Sequence, residues 1–176
     1  MLKSLGLAIG GAALAFSAMS AAAQEESDNR VAAKTDWSVF VEDDPTECWV
    51  VSSPKETVNT KNGRVVAVRR GDILLFVSYR PGSGVNGEVS FTGGYPFNDS
   101  STVSLQVGED SFELFTDGEW AWAENPQADQ RIVTALKGGA EAVVTGLSSR
   151  GTTTKDTFSL MGITAALDEA EARCSS

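Results

Sequence analysis

Short segments in which apolar and polar residues alternate recur along most of the chain, and they constrain its fold more than any other feature. DWSVFV, EVSFTG, TVSLQV and SFELF are examples, and clusters of Gly, Asn, Asp and Ser separate them. Because successive side chains of a strand point to opposite faces, each segment predicts a strand with one buried face. Many short strands with frequent turns are typical of sandwiches and barrels. The sequence therefore predicts an all-β fold, an antiparallel β-sandwich.

Two pairs of segments read as β-hairpins. RVVAVRR and ILLFVSYR flank Gly71-Asp72, a dipeptide typical of tight turns. AVVTGLS and TTTKDTFSL flank Arg150-Gly151, and the second of these legs places Phe158 and Leu160 on one face. We interpret the hydroxyl-rich stretch SRGTTTKDTFSL as a hairpin rather than a catalytic loop.

The hydrophobic period changes twice along the chain, which predicts two short helices, at about 125–137 and about 164–173. Asn125 is placed to cap the first helix and Thr164 to cap the second. In the second helix Cys174 falls on the same face as the apolar residues, so we expect it to point inward.

The N-terminus has the features of a secretory signal peptide. Lys3 precedes an apolar run over residues 5–16, and the alanines at 21–23 match the small residues that signal peptidase requires. We therefore expect an exported, periplasmic or secreted protein with no stable membrane insertion after cleavage. The predicted division of the chain is a signal peptide (1–23), a disordered lead-in (24–34) and a single domain (35–176).

The residues that are absent or rare limit the chemistry of the chain. It contains no histidine, which excludes Ser-His-Asp and Cys-His catalysis and removes the commonest transition-metal ligand. Its two cysteines are Cys48 and Cys174. An even cysteine count in an exported chain indicates one disulfide, with free thiols as the alternative.

The formal net charge of −10 at pH 7 bears on the choice of partner. So acidic a chain is not expected to bind nucleic acid or anionic lipid by default. The charge favours solubility or a cationic partner.

Both ends of the predicted domain resemble a known family. SRGTTTKDTFSLMGITAALDEAEARC resembles the C-terminal signature of the invasion-associated locus B proteins, which are exported proteins of alphaproteobacteria. DWSVFVEDDPTECWVVS resembles the opening of that family, an Asp-Trp strand followed by a cysteine strand. The resemblance implies an all-β, sandwich-like domain in the periplasm or outside the cell, and it supplies no catalytic residue.

Two groups of residues are candidate interaction sites. The cations Lys61, Arg64, Arg69 and Arg70 stand within ten residues of one another and would attract an anionic partner. The alternative is a charged strand edge that prevents aggregation. Trp120 and Trp122 share one side of a strand, either as an aromatic platform for a ligand or as part of the core.

We expect an exported, non-catalytic interaction protein that contacts an envelope or host-surface component and needs no cofactor or metal. The acidic residues Glu42, Asp43, Asp44 and Glu47 match no known calcium-loop spacing and are interpreted as a solvated turn. The alternative function is a small periplasmic glycan-binding protein or carboxylate-dependent hydrolase. Two convergent carboxylates beside the tryptophans would favour the hydrolase.

Overall fold

The structure is a computed structural model that describes residues 29–44 and 46–175. The predicted signal peptide and residues 24–28 lie outside the described residues. Within them the chain forms a mostly antiparallel β fold with two helices, α1 (Pro126–Gly138) and α2 (Ile163–Cys174), and one short 3₁₀ helix, Pro81–Ser83. The strands are β1 (Arg30–Lys34), β2 (Trp37–Asp43), β3 (Thr46–Ser52), β4 (Glu56–Lys61), β5 (Arg64–Val65), β6 (Leu74–Arg80), β7 (Val85–Thr92), β8 (Val103–Val107), β9 (Asp110–Asp117), β10 (Trp120–Trp122), β11 (Glu141–Leu147) and β12 (Thr153–Ser159).

The strands form one hydrogen-bonded ladder in the order β1-β2-β3-β6-β7-β10-β9-β8-β11-β12-β4-β5. Strand β9 belongs to both halves of it, because its first five residues pair with β8 and its last three with β10. The ladder thus folds into a first sheet (β1, β2, β3, β6, β7 and β10) and a second sheet (β8, β11, β12, β4 and β5). Phe91 of β7 meets Phe158 of β12 edge to face, with ring centroids 6.2 Å apart. The predicted antiparallel sandwich is confirmed.

The core lies between the sheets and under the helices, as the alternation predicts. Trp37 and Val39 of β2 are buried, and the indole Nε1 of Trp37 donates a hydrogen bond to the Ser159 carbonyl oxygen at 3.0 Å. This bond satisfies the polar atom of a side chain that is otherwise apolar, as burial requires. It also joins the first sheet to the end of β12.

Both helices form close to their predicted positions. The side chain of Asn125 accepts a hydrogen bond from the Ala128 N–H at 2.9 Å, so Asn125 is the predicted N-cap of α1. The prediction that Thr164 caps α2 is wrong, because the helix begins at Ile163, directly after Gly162, whose φ is 92°. A side chain at Gly162 would collide with the Lys34 carbonyl oxygen, so the glycine is needed for this close approach and Thr164 is already inside the helix.

Helix α2 packs on β2 and β3 and ends at the predicted disulfide. Cys174 is bonded to Cys48 of β3, with their Cα atoms 5.9 Å apart and a sequence separation of 126. The crosslink therefore joins the beginning of the sandwich to its C-terminal helix, and the predicted pairing is confirmed. Neither helix in the described ranges has the length and apolar character needed to span a membrane.

Two sequence expectations are corrected by the structure. Arg30–Lys34, predicted to be disordered, forms β1 and pairs with β2, because backbone hydrogen bonds to the open edge of β2 order this segment. The hairpin predicted around Gly71-Asp72 does not form. Both edges of β6 are already paired, with β3 and β7, so no edge remains for the preceding segment.

That segment instead crosses from the second sheet to the first. Arg64–Val65 pairs with β4, and the residues up to Ile73 are irregular. The Gly71 N–H donates to the Gly94 carbonyl oxygen at 2.9 Å, which fixes the end of the crossing. By contrast, the hairpin around Arg150-Gly151 is confirmed, with β11 and β12 in continuous antiparallel register.

Loss of the hydrogen bond that caps α1 is expected to destabilise the fold. Asn125→Ala removes the acceptor of the Ala128 N–H and is expected to lower the free energy of unfolding by about 1 kcal/mol. Asn125→Asp is the matched control, because it keeps an acceptor oxygen at the helix N-terminus. Urea denaturation followed by circular dichroism measures both. Equal losses for the two variants would show that the hydrogen bond is not the source of the stabilisation.

Candidate functional site

Six aromatic side chains lie on the face of the first sheet that points away from the core. We refer to them as the outer aromatic face, and they are Phe40, Trp49, Phe76, Phe115, Trp120 and Trp122. Strand alternation places them there, because their immediate neighbours in sequence, such as Val39, Leu75 and Ala121, point into the core. The two tryptophans named from the sequence therefore share one side, as predicted, and that side is the solvent-facing one.

The register of the strands brings most of these rings together. Phe76, Ser90, Trp122 and Phe115 are successive partners across β6, β7, β10 and β9. Trp122 contacts Phe115 at 5.7 Å and Trp120 at 6.1 Å between ring centroids. Such centroid separations are typical of stabilising aromatic pairs.

Two of the rings reach across an intervening strand. Phe76 of β6 and Trp120 of β10 have centroids 5.7 Å apart although β7 lies between their strands. The rings therefore cover the outer side of β7, which explains why Ser90 and Thr92 are only 7 % and 8 % exposed. The outer aromatic face is a packed layer rather than a set of isolated side chains.

An open groove of about 340 Å³ runs over this layer. Trp49, Phe76, Trp120 and Trp122 line it together with Ser78 and Ser90, and the charged residues Glu47, Arg80 and Glu88 border it. Trp120 keeps 39 % of its surface exposed and Phe115 keeps 49 %. Apolar side chains exposed singly are common, whereas a contiguous exposed apolar patch is typical of binding surfaces.

Two carboxylates border the groove, those of Glu47 and Glu88, and a glycosidase acts through a pair of carboxyl groups. Such an enzyme needs one protonated acid and one free carboxylate on opposite sides of the scissile bond. The Glu88 carboxylate is bound to the Arg80 guanidinium at 2.5 Å, so it is engaged within the protein. The groove has the composition of a binding surface, with aromatic walls and hydroxyl groups on its floor.

The four clustered cations do not act as one group. Lys61 and Arg64 lie at the exposed β4–β5 hairpin, and Arg69 is exposed in the crossing segment. The side chain of Arg70 is only 6 % exposed and is bound to Asp156, so it is not available to an external partner. The basic patch expected from the sequence therefore lacks one of its members.

Arg70 and Asp156 form a buried, bidentate ion pair at 2.6 and 2.7 Å. The Arg70 Nε also donates to the Gly93 carbonyl oxygen at 2.8 Å, and its guanidinium lies 5.0 Å from the centroid of the Tyr95 ring. Burial raises the pKa of the Tyr95 hydroxyl, while its hydrogen bond to Thr154 opposes the shift. The network joins the crossing segment to β12.

Sequence reasoning missed Asp156, although the chain carries a signal for it. Asp156 stands two residues before the buried Phe158 on the same strand, so alternation places its carboxylate on the inner face. A buried carboxylate needs a cation or hydrogen-bond donors to offset its loss of hydration. The pattern thus predicts a partner for Asp156, but it does not say which of the arginines supplies it.

Within the described residues, no three acidic or cysteine side chains are grouped closely enough to hold a metal ion. The acidic residues Glu42, Asp43 and Glu47 lie at the β2–β3 turn, where Glu42 and Glu47 face each other across the hairpin. The geometry of this turn gives no reason to assign a metal or cofactor to it.

Comparison with known proteins identifies relatives in sequence and in fold. A family model described as "Invasion associated locus B (IalB) protein" matches residues 37–171. The crystal structure of invasion associated protein B from Bartonella henselae is similar, with a TM-score of 0.57 and 18 % identity over 82 % of this chain and 98 % of that chain. No curated protein sequence matches. At this identity the structural likeness shows a shared fold.

Proposed function

The chain belongs to the invasion associated locus B family, and from this premise we propose that it is an exported, non-catalytic binding protein. It acts in the periplasm or outside the cell and contacts a protein of the envelope or of a host surface. The outer aromatic face is its contact surface. The observation that carries the proposal is the exposed, packed layer of Trp120, Trp122 and Phe115 over the first sheet.

Export is supported by two independent features. The Cys48–Cys174 disulfide leaves no free thiol among the described residues, and such bonds persist in oxidising compartments outside the cytosol. The N-terminal sequence, with Lys3 before an apolar run and alanines at 21–23, has the organisation of a cleaved signal peptide.

A protein partner is supported by the composition of the outer aromatic face. The residues most enriched at the centres of protein interfaces are tryptophan, tyrosine and arginine, surrounded by a polar rim. Here Trp49, Trp120 and Trp122 are the central side chains, and Arg80 and Glu88 stand beside them. The half-buried Arg80–Glu88 ion pair forms part of a polar rim beside them.

A glycan is the second candidate ligand, favoured by one observation. The groove combines aromatic walls with the half-buried, hydroxyl-bearing Ser78, so it presents ring faces for stacking next to a group for hydrogen bonding. A saccharide would occupy the same groove as the proposed protein partner, so one set of variants tests both.

The test compares crosslinking of the exported protein to envelope and host-surface fractions for four forms of the chain, the wild type and three variants. We expect Trp120→Ala to lose at least one specific partner that the wild type captures, whereas Trp120→Phe, which keeps a ring, retains it. Met161→Ala is the control, because Met161 is 63 % exposed, lies just before α2 and does not line the groove. Identical partner sets for all forms would overturn the proposed surface.

The glycan alternative is tested by tryptophan fluorescence during titration with oligosaccharides released from the envelope. Saturable quenching in the wild type that Trp120→Ala abolishes would assign the groove to a glycan and replace the protein partner. Release of new reducing ends during the same titration would contradict the non-catalytic assignment.

A further inference from the structure

We infer that a second site, a cavity flanked by Arg69 and Arg150, binds a ligand that carries an oxyanion, namely a carboxylate, phosphate or sulfate group. The cavity has a volume of about 460 Å³ and lies where the crossing segment, the loop after β7 and the β11–β12 turn meet. This site is separate from the groove over the outer aromatic face, whose lining residues it does not share.

Three arginines contribute to this cavity in a chain with a formal net charge of −10. Arg70 is neutralised by Asp156, as described above. Arg69 and Arg150 are exposed, and neither guanidinium has a hydrogen bond or ion pair to another described residue. The guanidinium groups of Arg69 and Arg150, which lie on two different segments, are therefore available to a ligand.

The other lining groups are mostly hydroxyls. Ser149, Thr152 and Thr154 line the cavity beside the ring of Tyr95. The Thr154 hydroxyl is already bonded to the Tyr95 hydroxyl at 2.6 Å, whereas the Thr152 hydroxyl makes no hydrogen bond to another described residue. Glu119 is the one acidic lining residue and works against an anion.

Hydrogen bonds within the chain hold the walls of the cavity. The Ser149 N–H donates to the Pro96 carbonyl oxygen at 2.9 Å, and the Ser148 N–H donates to the Thr152 carbonyl oxygen at 2.9 Å. The bond from Arg70 to the Gly93 carbonyl oxygen fixes the opposite wall. A site whose walls are ordered before binding loses less conformational entropy on binding.

The chemistry of the two free side chains defines the ligand class. A guanidinium presents donors in a planar fork that matches the two oxygens of a carboxylate, phosphate or sulfate. The volume is within the range of small-molecule sites, so it suits a single acidic group with its attached residue, such as a uronate. The oxyanion belongs either to a free small molecule or to a unit of an acidic polymer.

Isothermal titration at low ionic strength tests the site, with sulfate, phosphate, glucuronate and an oligouronate as the probes. We expect saturable binding of at least one probe by the exported protein. The variant Arg69→Gln/Arg150→Gln is expected to bind at least about tenfold more weakly than the wild type, because two charge-assisted hydrogen bonds are lost. Tighter binding of the oligouronate than of the free anions would assign the oxyanion to a polymer, and the reverse order would assign it to a small molecule.

The matched control is Lys61→Gln/Arg64→Gln, which removes the same charge from the exposed β4–β5 hairpin. We expect it to retain wild-type affinity, and Glu119→Gln to bind more tightly because it removes a repelling carboxylate. Equal weakening in the pocket and control variants, or no binding of any probe, would overturn the inference. Trp120→Ala is expected to leave anion binding unchanged, so a failure here is distinct from a failure of the proposed aromatic surface.

Discussion

The double variant Cys48→Ala/Cys174→Ala is expected to lose about 4–5 kcal/mol of unfolding free energy, because it removes the disulfide. The two cysteines are 126 residues apart, so the disulfide closes a loop that includes most of the domain. Closing so long a loop removes much of the conformational entropy of the unfolded chain. Alanine is the appropriate replacement because both positions are buried.

Urea denaturation under non-reducing conditions measures this loss, and the wild type in the presence of reductant is the matched comparison. Both should unfold at the same lowered urea midpoint, since both lack the crosslink. A double variant with a loss below about 1 kcal/mol would show that the unfolded chain is already restricted in other ways.

Replacement of Arg70 by methionine is expected to lower the free energy of unfolding by about 3–5 kcal/mol, because it leaves the Asp156 carboxylate buried without its cation. The side chain of Asp156 is fully buried and its carboxylate oxygens are bonded to Arg70. Methionine keeps an unbranched apolar stem, so the change removes the charge and the hydrogen bonds with little loss of packing.

The second variant, Arg70→Met/Asp156→Leu, separates pairing from burial. It removes both charges and is expected to recover most of the lost stability, because a well-packed apolar pair replaces a buried ion pair at little or no cost. Thermal and urea unfolding measure the two variants. Equal stability of the single and double variants would show that the carboxylate left by the single change is hydrated.

The fold was predictable where local chemistry alone decides the structure. The alternation in DWSVFV determines which side chains of β2 enter the core, and Asn125 determines where α1 begins. The wrong predictions concern segments whose structure depends on residues that are distant in sequence. β1 depends on the open edge of β2, and the irregular crossing before β6 depends on β3 and β7 having taken both edges of that strand.

The candidate sites were predictable only in part, for the same reason. Alternation places Trp120 and Trp122 on one side, but whether that side is covered depends on which face of the first sheet the second sheet and the helices occupy. Arg70 stands beside Arg69 in sequence, yet its partner Asp156 is 86 residues away, so its burial could not be read from its neighbours. Arg150 likewise approaches Arg69 only through the meeting of two loops.

Because β9 belongs to both sheets, it affects how cooperatively the domain unfolds. Its first residues pair with β8 and its last with β10, so neither sheet can lose its strands at this junction without disturbing the other. The disulfide between α2 and β3 also ties the C-terminal helix to the first sheet. We therefore expect no part of the described domain to unfold independently of the rest. The domain should therefore unfold in a single all-or-none transition, with coincident curves from tryptophan fluorescence and circular dichroism.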